Sequence, residues 1–117
     1  MNVAQAAEKV AGVLLSGAAR AAKTEVTGGY ASDLLSDVMG NAKEGWLWVT
    51  IQKHVNIVAV AHLKELAAIV LVGGRRPDTD TVARAEMEGV PIVATPLPTW
   101  EVVGLLYELG IRGRREV

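Results

Sequence analysis

The stretch that decides the fold is WLWVTIQKHVNIVAVAHLKELAAIVLVGG, residues 46–74. It begins with residues 46–51, whose aromatic and β-branched side chains favour a strand. It ends with residues 67–72, a continuous apolar run that stops at two glycines and suits a strand buried on both faces. Residues 55–66 between them are rich in β-branched residues, but their length favours a helix. We therefore predict a strand, a helix and a second strand.

The same alternation continues on both sides of this stretch. Downstream, the sequence predicts a helix at 79–88, a strand at 90–94 and a helix at 99–109. Asp78 or Thr79 would cap the first of these helices, and Thr99 the second. Upstream, it predicts a helix at 3–10 capped by Asn2, a short strand at 13–15, a connection at 17–23, an extended segment at 26–30 and helical turns at 32–39.

This order of elements predicts an α/β fold, a three-layer sandwich with a mostly parallel sheet. We expect residues 1–110 to form one domain and residues 111–117 to form a loose C-terminal tail. A length of 117 residues and a hydrophobic content of 50% suit one globular domain.

Charge and cysteine content exclude several classes of function. The net charge of −1 provides no long-range attraction for nucleic acid or an acidic membrane, and we expect neither as a partner. The absence of cysteine excludes disulfides and thiolate metal sites, and it fits a reducing cytoplasm, which is the expected location. No apolar run is long enough to span a bilayer, and the N-terminus does not have the pattern of a signal peptide.

Three loops follow the predicted parallel strands, at residues 52–54, 73–76 and 95–99. Ligands bind at the carboxyl edge of such sheets, and the helix N-termini there favour an anion. No catalytic residue, metal ligand or cofactor is predicted, because the sequence has neither a nucleophile motif nor a ligand cluster. The candidate ligand-binding residues are His54, Asn56, Gly73, Gly74, Arg75, Arg76 and Thr95.

Each candidate also has a structural interpretation. His54 could donate to an anion, or it could lie at a solvated corner and help to cap the helix. Asn56 could touch a ligand but more often would be an N-cap. The two glycines could admit a phosphate or only form a turn with positive φ, and the two arginines could clamp an anion or lie in a solvated loop.

Asp33 and Asp37 are four residues apart, which would place both carboxylates on one face of a helix. A divalent cation is conceivable there, but no third ligand accompanies the pair, and a capped, solvated helix is the favoured interpretation. His62 has no partner at metal-binding spacing and is interpreted as structural or interfacial.

Residues 55–66 are apolar on more than one face, so both sides of this helix must be covered. A symmetric partner or neighbouring helices of the same chain would cover the second side, and these alternatives remain open. We expect a homodimer that uses this helix or the sheet edge near it.

Two stretches carry a family resemblance: GGYASDLLSDVMGNAKEGWLWVTIQKHVNIVAVAHLKELAAIVLVGGRRPD, residues 28–78, and VARAEMEGVPIVATPLPTWEVVGLLYELG, residues 82–110. They resemble the DRTGG domain, which occurs in small stand-alone proteins, beside CBS modules and within phosphotransacetylases. The resemblance implies a fold like the N-terminal domain of HPr kinase/phosphorylase.

The resemblance also implies a function class. It suggests a non-catalytic regulatory or scaffolding domain, with a small-ligand sensor and an enzyme of unrecognised chemistry as alternatives. The Asp-Arg pair of the family falls on Lys53-His54, and the Thr-Gly-Gly falls on Val72-Gly73-Gly74. With His54 at the position of that arginine, this chain resembles small DRTGG proteins that occur beside iron-only hydrogenase components. Such a component, or a small anionic ligand, is therefore an expected partner.

Overall fold

A computed structural model of the chain describes residues 1–114. Its helices are α1 (Val3–Lys9), α2 (Ala18–Ala21), α3 (Leu35–Asn41), α4 (Asn56–Leu63), α5 (Thr79–Glu88) and α6 (Thr99–Glu108). Its strands are β1 (Val13–Ser16), β2 (Gly28–Ala31), β3 (Trp46–Thr50), β4 (Ala68–Leu71) and β5 (Ile92–Ala94). None of the described helices is long and apolar enough to cross a membrane.

The five strands form one sheet in the order β1-β5-β4-β3-β2. The pairs β2–β3, β3–β4 and β4–β5 are parallel, and β1 is antiparallel to β5. The predicted α/β sandwich with a mostly parallel sheet is therefore confirmed. The parallel order arises because each strand from β2 to β4 is joined to the next strand by a helix.

Alternating side chains of the central strands form a core on each face of the sheet. Leu47 and Val49 of β3 pack with the buried faces of α1 and α6. Trp46 and Trp48 of the same strand pack with α3, α4 and α5. The fold therefore has three layers, with every residue of β3 buried.

Neighbouring helices of the same chain cover α4. It contacts α3 and α5, and Ile57, Val58, Val60 and Ala61 are all buried between these helices and the sheet. Of the two alternatives for this apolar helix, the one within a single chain is thus correct. The helix is shorter than predicted, because Glu65 adopts a left-handed backbone with φ 54° just after its end.

Several predicted ends and caps differ in the structure. Asn2 and Gln5 do form a capping box at α1, as expected for Asn2. Residues 17–23, predicted as a connection, contain the short helix α2. The predicted cap Thr99 is the first residue of α6, which has no side-chain cap.

The start of the predicted loose tail is held against the sheet. Ile111 packs on the core beneath α6, and the carbonyl of Arg112 accepts a hydrogen bond from the Gly29 N–H at 3.0 Å. The apolar side chain of Ile111 explains this attachment, since it is partly removed from water there. Residues 115–117 lie outside the described part of the chain.

Candidate functional site

The loops that follow β3, β4 and β5 lie at one edge of the sheet. This follows from the parallel registers, in which Thr50 pairs with Leu71 and Leu71 with Ala94 at the carboxyl ends of the strands. Backbone hydrogen bonds also join the loops, since the Asp78 N–H donates to the Lys53 carbonyl at 3.2 Å. The predicted convergence of the three loops is therefore correct.

The glycine pair after β4 makes a turn that is tied to the loop after β5. Gly73 and Gly74 have φ of 72° and 73°, a region that favours glycine. The Gly73 N–H donates to the Leu97 carbonyl at 2.8 Å, and the Gly74 N–H to the Thr95 carbonyl at 3.0 Å. Both N–H groups are therefore used within the turn. Of the two interpretations of these glycines, a turn with positive φ accounts for both residues.

Thr95 faces inward. Only 1% of this residue is exposed, and its hydroxyl donates to the Val10 carbonyl at 2.6 Å and accepts from the Leu97 N–H at 3.2 Å. The hydroxyl therefore joins the end of α1 to the loop after β5. The suggestion that it offers a free hydroxyl to a ligand does not match this geometry, because the sequence pattern could not show which way the side chain points.

His54 caps α4. Its Nδ1 accepts a hydrogen bond from the Asn56 N–H at 3.1 Å, and the ring is exposed. A neutral imidazole that accepts through Nδ1 carries its proton on Nε2, which leaves that N–H as the outward donor. Asn56 is the first residue of the helix, whereas Val55 is the N-cap residue and makes no side-chain cap, so the expected role of Asn56 as N-cap is wrong.

Arg75 and Arg76 are exposed at the same edge. Arg75 Nη1 donates to the Val72 carbonyl at 3.3 Å, and neither arginine forms an ion pair within residues 1–114. They lie beside an open cleft of about 330 Å³. The lining residues are Val13, Leu15, Gly74, Arg75, Arg76, Ala94, Thr95 and Pro96.

The cleft divides the predicted set of site residues. Four of its seven members line the cleft, namely Gly74, Arg75, Arg76 and Thr95. Gly73 is not among the lining residues, and His54 and Asn56 lie at the start of α4. The apolar wall supplied by Val13 and Leu15 was not predicted. Only the antiparallel pairing of β1 with β5 brings these residues to the cleft, and a four-residue strand gives no sequence signal for its neighbour.

Asp33 and Asp37 have separate partners. Asp33 precedes α3, and its Oδ1 accepts from the Thr50 hydroxyl and the Ile51 N–H, both at 2.9 Å. Asp37 accepts from the Tyr30 hydroxyl at 2.9 Å and from Asn41 Nδ2 at 2.9 Å. No group of three potential ligands for a metal lies within residues 1–114.

These hydrogen bonds shift the acid–base behaviour of Tyr30 and Asp37. Hydrogen bonds from Ser32 and then from Tyr30 hold the pKa of Asp37 below its usual range. The hydrogen bond to Asp37 raises the pKa of Tyr30. The sequence contained a hint of this cluster in the four-residue spacing of Asp37 and Asn41, but nothing in it pointed to Tyr30.

Comparisons with known proteins agree with this fold. No curated protein matches the chain. A solved structure, of the CBS and DRTGG domains of the regulatory region of Clostridium perfringens pyrophosphatase complexed with the activator diadenosine tetraphosphate, is similar with a TM-score of 0.69 and 13% identity. The match covers 89% of this chain and 48% of that one, so the chain spans about half the length of its structural relative. The DRTGG domain family matches residues 5–109, and the chain belongs to that family.

Proposed function

We propose that this chain is a non-catalytic regulatory domain that binds a nucleotide or another phosphate-bearing ligand at the carboxyl edge of its sheet. One observation carries the proposal. Arg75 and Arg76 are exposed beside an open cleft, and neither is neutralised by an acidic partner within residues 1–114.

The chemistry of the two arginines suits phosphate. A guanidinium group presents several N–H donors in a fixed plane and binds phosphate oxygens in pairs. Arg75 is oriented by its hydrogen bond to the Val72 carbonyl, and the Gly73-Gly74 turn fixes the backbone just before it. Such preorganisation reduces the entropy lost when a ligand binds.

The cleft suits the remainder of a nucleotide. Its volume of about 330 Å³ lies within the usual range for small-molecule sites. Val13, Leu15 and Pro96 supply apolar surface against which a base can stack. The activator in the related regulatory region is a dinucleoside polyphosphate, which supports the same ligand class here.

We further propose that the domain acts as a cytoplasmic homodimer and regulates a protein partner. The chain has Lys53-His54 where the family has its Asp-Arg pair, and in this it resembles small DRTGG proteins that occur beside iron-only hydrogenase components. That resemblance supports such a component as the partner. Titration of a purified component with this chain, in the presence and absence of the nucleotide, tests that association. A heat of binding that depends on the nucleotide would support it, and no heat in either case would contradict it.

Isothermal titration of the chain with diadenosine tetraphosphate, ATP, AMP and inorganic phosphate tests the ligand proposal. We expect Arg75→Ala or Arg76→Ala to weaken binding about ten- to hundredfold, because each removes a charge-assisted hydrogen bond. Arg84→Ala is the matched control, since Arg84 lies on α5 and is paired with Glu88. Absence of binding for all four compounds would favour the scaffolding alternative, and turnover of any of them would favour the enzyme.

A further inference from the structure

The outward face of α6 is apolar, and no part of residues 1–114 covers it. Trp100 is 86% exposed, Tyr107 53% and Val103 39%. Their spacing of three and four residues places them on one stripe of the helix. The opposite face of α6 is already used, because Val102 and Leu106 are buried against the sheet.

Gly104 lies in the middle of this stripe. A Cβ at this position would meet no atom of the described residues within 4 Å, so packing within residues 1–114 does not require a glycine there. Glycine is also the least favourable residue after proline for the interior of a helix. A glycine at an exposed helical position is explained if another backbone approaches closely.

A groove runs alongside the stripe, between α6 and the outer strand β2. Gly29, Ala31, Val49 and Ile111 line it together with Val103 and Tyr107, and its volume is about 130 Å³. Arg112 lies over the ring of Tyr107 at 3.8 Å and holds one wall of the groove in place. The groove is therefore a preformed apolar receptor for a large side chain.

We propose that a second copy of this chain covers this face, with the two α6 helices antiparallel and crossing at the Val103–Gly104 bond. Trp100 and Tyr107 lie at equal distances on either side of that bond. A two-fold axis there brings Trp100 of each copy to Tyr107 and the groove of the other. The inference rests on the homodimer of the proposed function and names the surface that forms it.

The self-complementary character of the face favours a second copy over another protein. The same helix supplies both the exposed Trp100 and a wall of the groove, as an isologous interface requires. A fully buried aromatic side chain covers about 150–250 Å², and Trp100 is 86% exposed, so its burial supplies a substantial share of the roughly 800 Å² per copy of a standard interface, with a smaller addition from the half-buried Tyr107.

Sedimentation of the full chain over a wide concentration range tests the interface, with Trp100→Asp and Gly104→Leu as the variants. We expect a concentration-dependent dimer for the wild type. Each variant should raise the dissociation constant at least about a hundredfold, since one loses a central aromatic anchor and the other blocks the helix crossing. Leu63→Asp and Met87→Asp are the matched controls, because these residues are 70% and 77% exposed on the opposite helical layer.

Tryptophan fluorescence gives a second measurement. Trp46 and Trp48 are buried in the core, so a soluble quencher reports mainly on Trp100. We expect quenching to fall as the wild-type dimer forms. A wild type that remains monomeric would overturn the homodimer and the interface together. A dimer that persists in Trp100→Asp, or is lost in a control variant, would overturn the α6 interface alone.

Discussion

The helices α4 and α6 differ in a way that their sequences do not reveal. α4 is the more apolar of the two, yet α3 and α5 flank it and Ile57, Val58 and Val60 are buried within one chain, with Leu63 at its end left exposed. α6 is less uniformly apolar, and it leaves Trp100 86% exposed. The position of a helix within its layer therefore decides whether its apolar residues belong to the core or to a surface that can bind a partner.

The largest expected effect separates these two helices. Ile57 of α4 is fully buried, so Ile57→Asp places an unpaired carboxylate in the core and should cost at least about 4 kcal/mol. Trp100→Asp should change the stability of the monomer by no more than about 0.5 kcal/mol, because the ring is already in water. Urea denaturation of dilute protein measures both changes. Similar losses of stability in the two variants would contradict the assignment of α4 to the core and of α6 to an exposed surface.

The same distinction applies to the polar residues of the carboxyl edge. The Thr95 hydroxyl is buried between the Val10 carbonyl and the Leu97 N–H, whereas the side chain of Arg76 is exposed. Thr95→Val should cost about 1–3 kcal/mol, because it leaves two backbone groups without a partner. Thermal unfolding measures this loss, with Thr95→Ser as the control that keeps the hydroxyl. If Thr95→Val unfolds at the same temperature as the wild type, the hydroxyl does not stabilise the fold.

The smallest expected effect concerns Asp37. Because its pKa is lowered in the folded protein by hydrogen bonds from Ser32 and Tyr30, its carboxylate stabilises the fold above the ordinary pKa of the side chain. That contribution is lost as the pH falls through the lowered value. We expect the stability of Asp37→Asn to fall less steeply with acid than that of the wild type, as followed by urea denaturation at a series of acidic pH values. Identical acid profiles would contradict this role.

The sequence predicted the parts of the fold that repeat along the chain. The runs at 46–51, 67–72 and 90–94 are each followed by a helical pattern, so parallel strands and convergent loops could be inferred. It also predicted that Arg75 and Arg76 lie at that edge. These features depend on local composition and on the handedness of the connections.

The features that the sequence could not predict depend on contacts between distant residues. The apolar pattern of α4 does not tell whether α5 or a second chain covers it. A threonine at position 95 gives no indication that its hydroxyl binds the carbonyl of Val10, a residue far away in sequence. The wall of the cleft likewise depends on β1, whose antiparallel pairing with β5 has no local signature.

The measurement that tests the central claim most directly is an NMR titration of the isotope-labelled chain with diadenosine tetraphosphate. We expect the amide resonances of Gly74, Arg75 and Arg76 to shift, because these residues line the cleft. Resonances of Arg20 and Glu65, which line a separate cleft near the amino ends of β4 and β5, should remain in place. Shifts confined to Arg20 and Glu65, or no shifts at saturating ligand, would contradict the claim that this edge of the sheet binds a phosphate-bearing ligand.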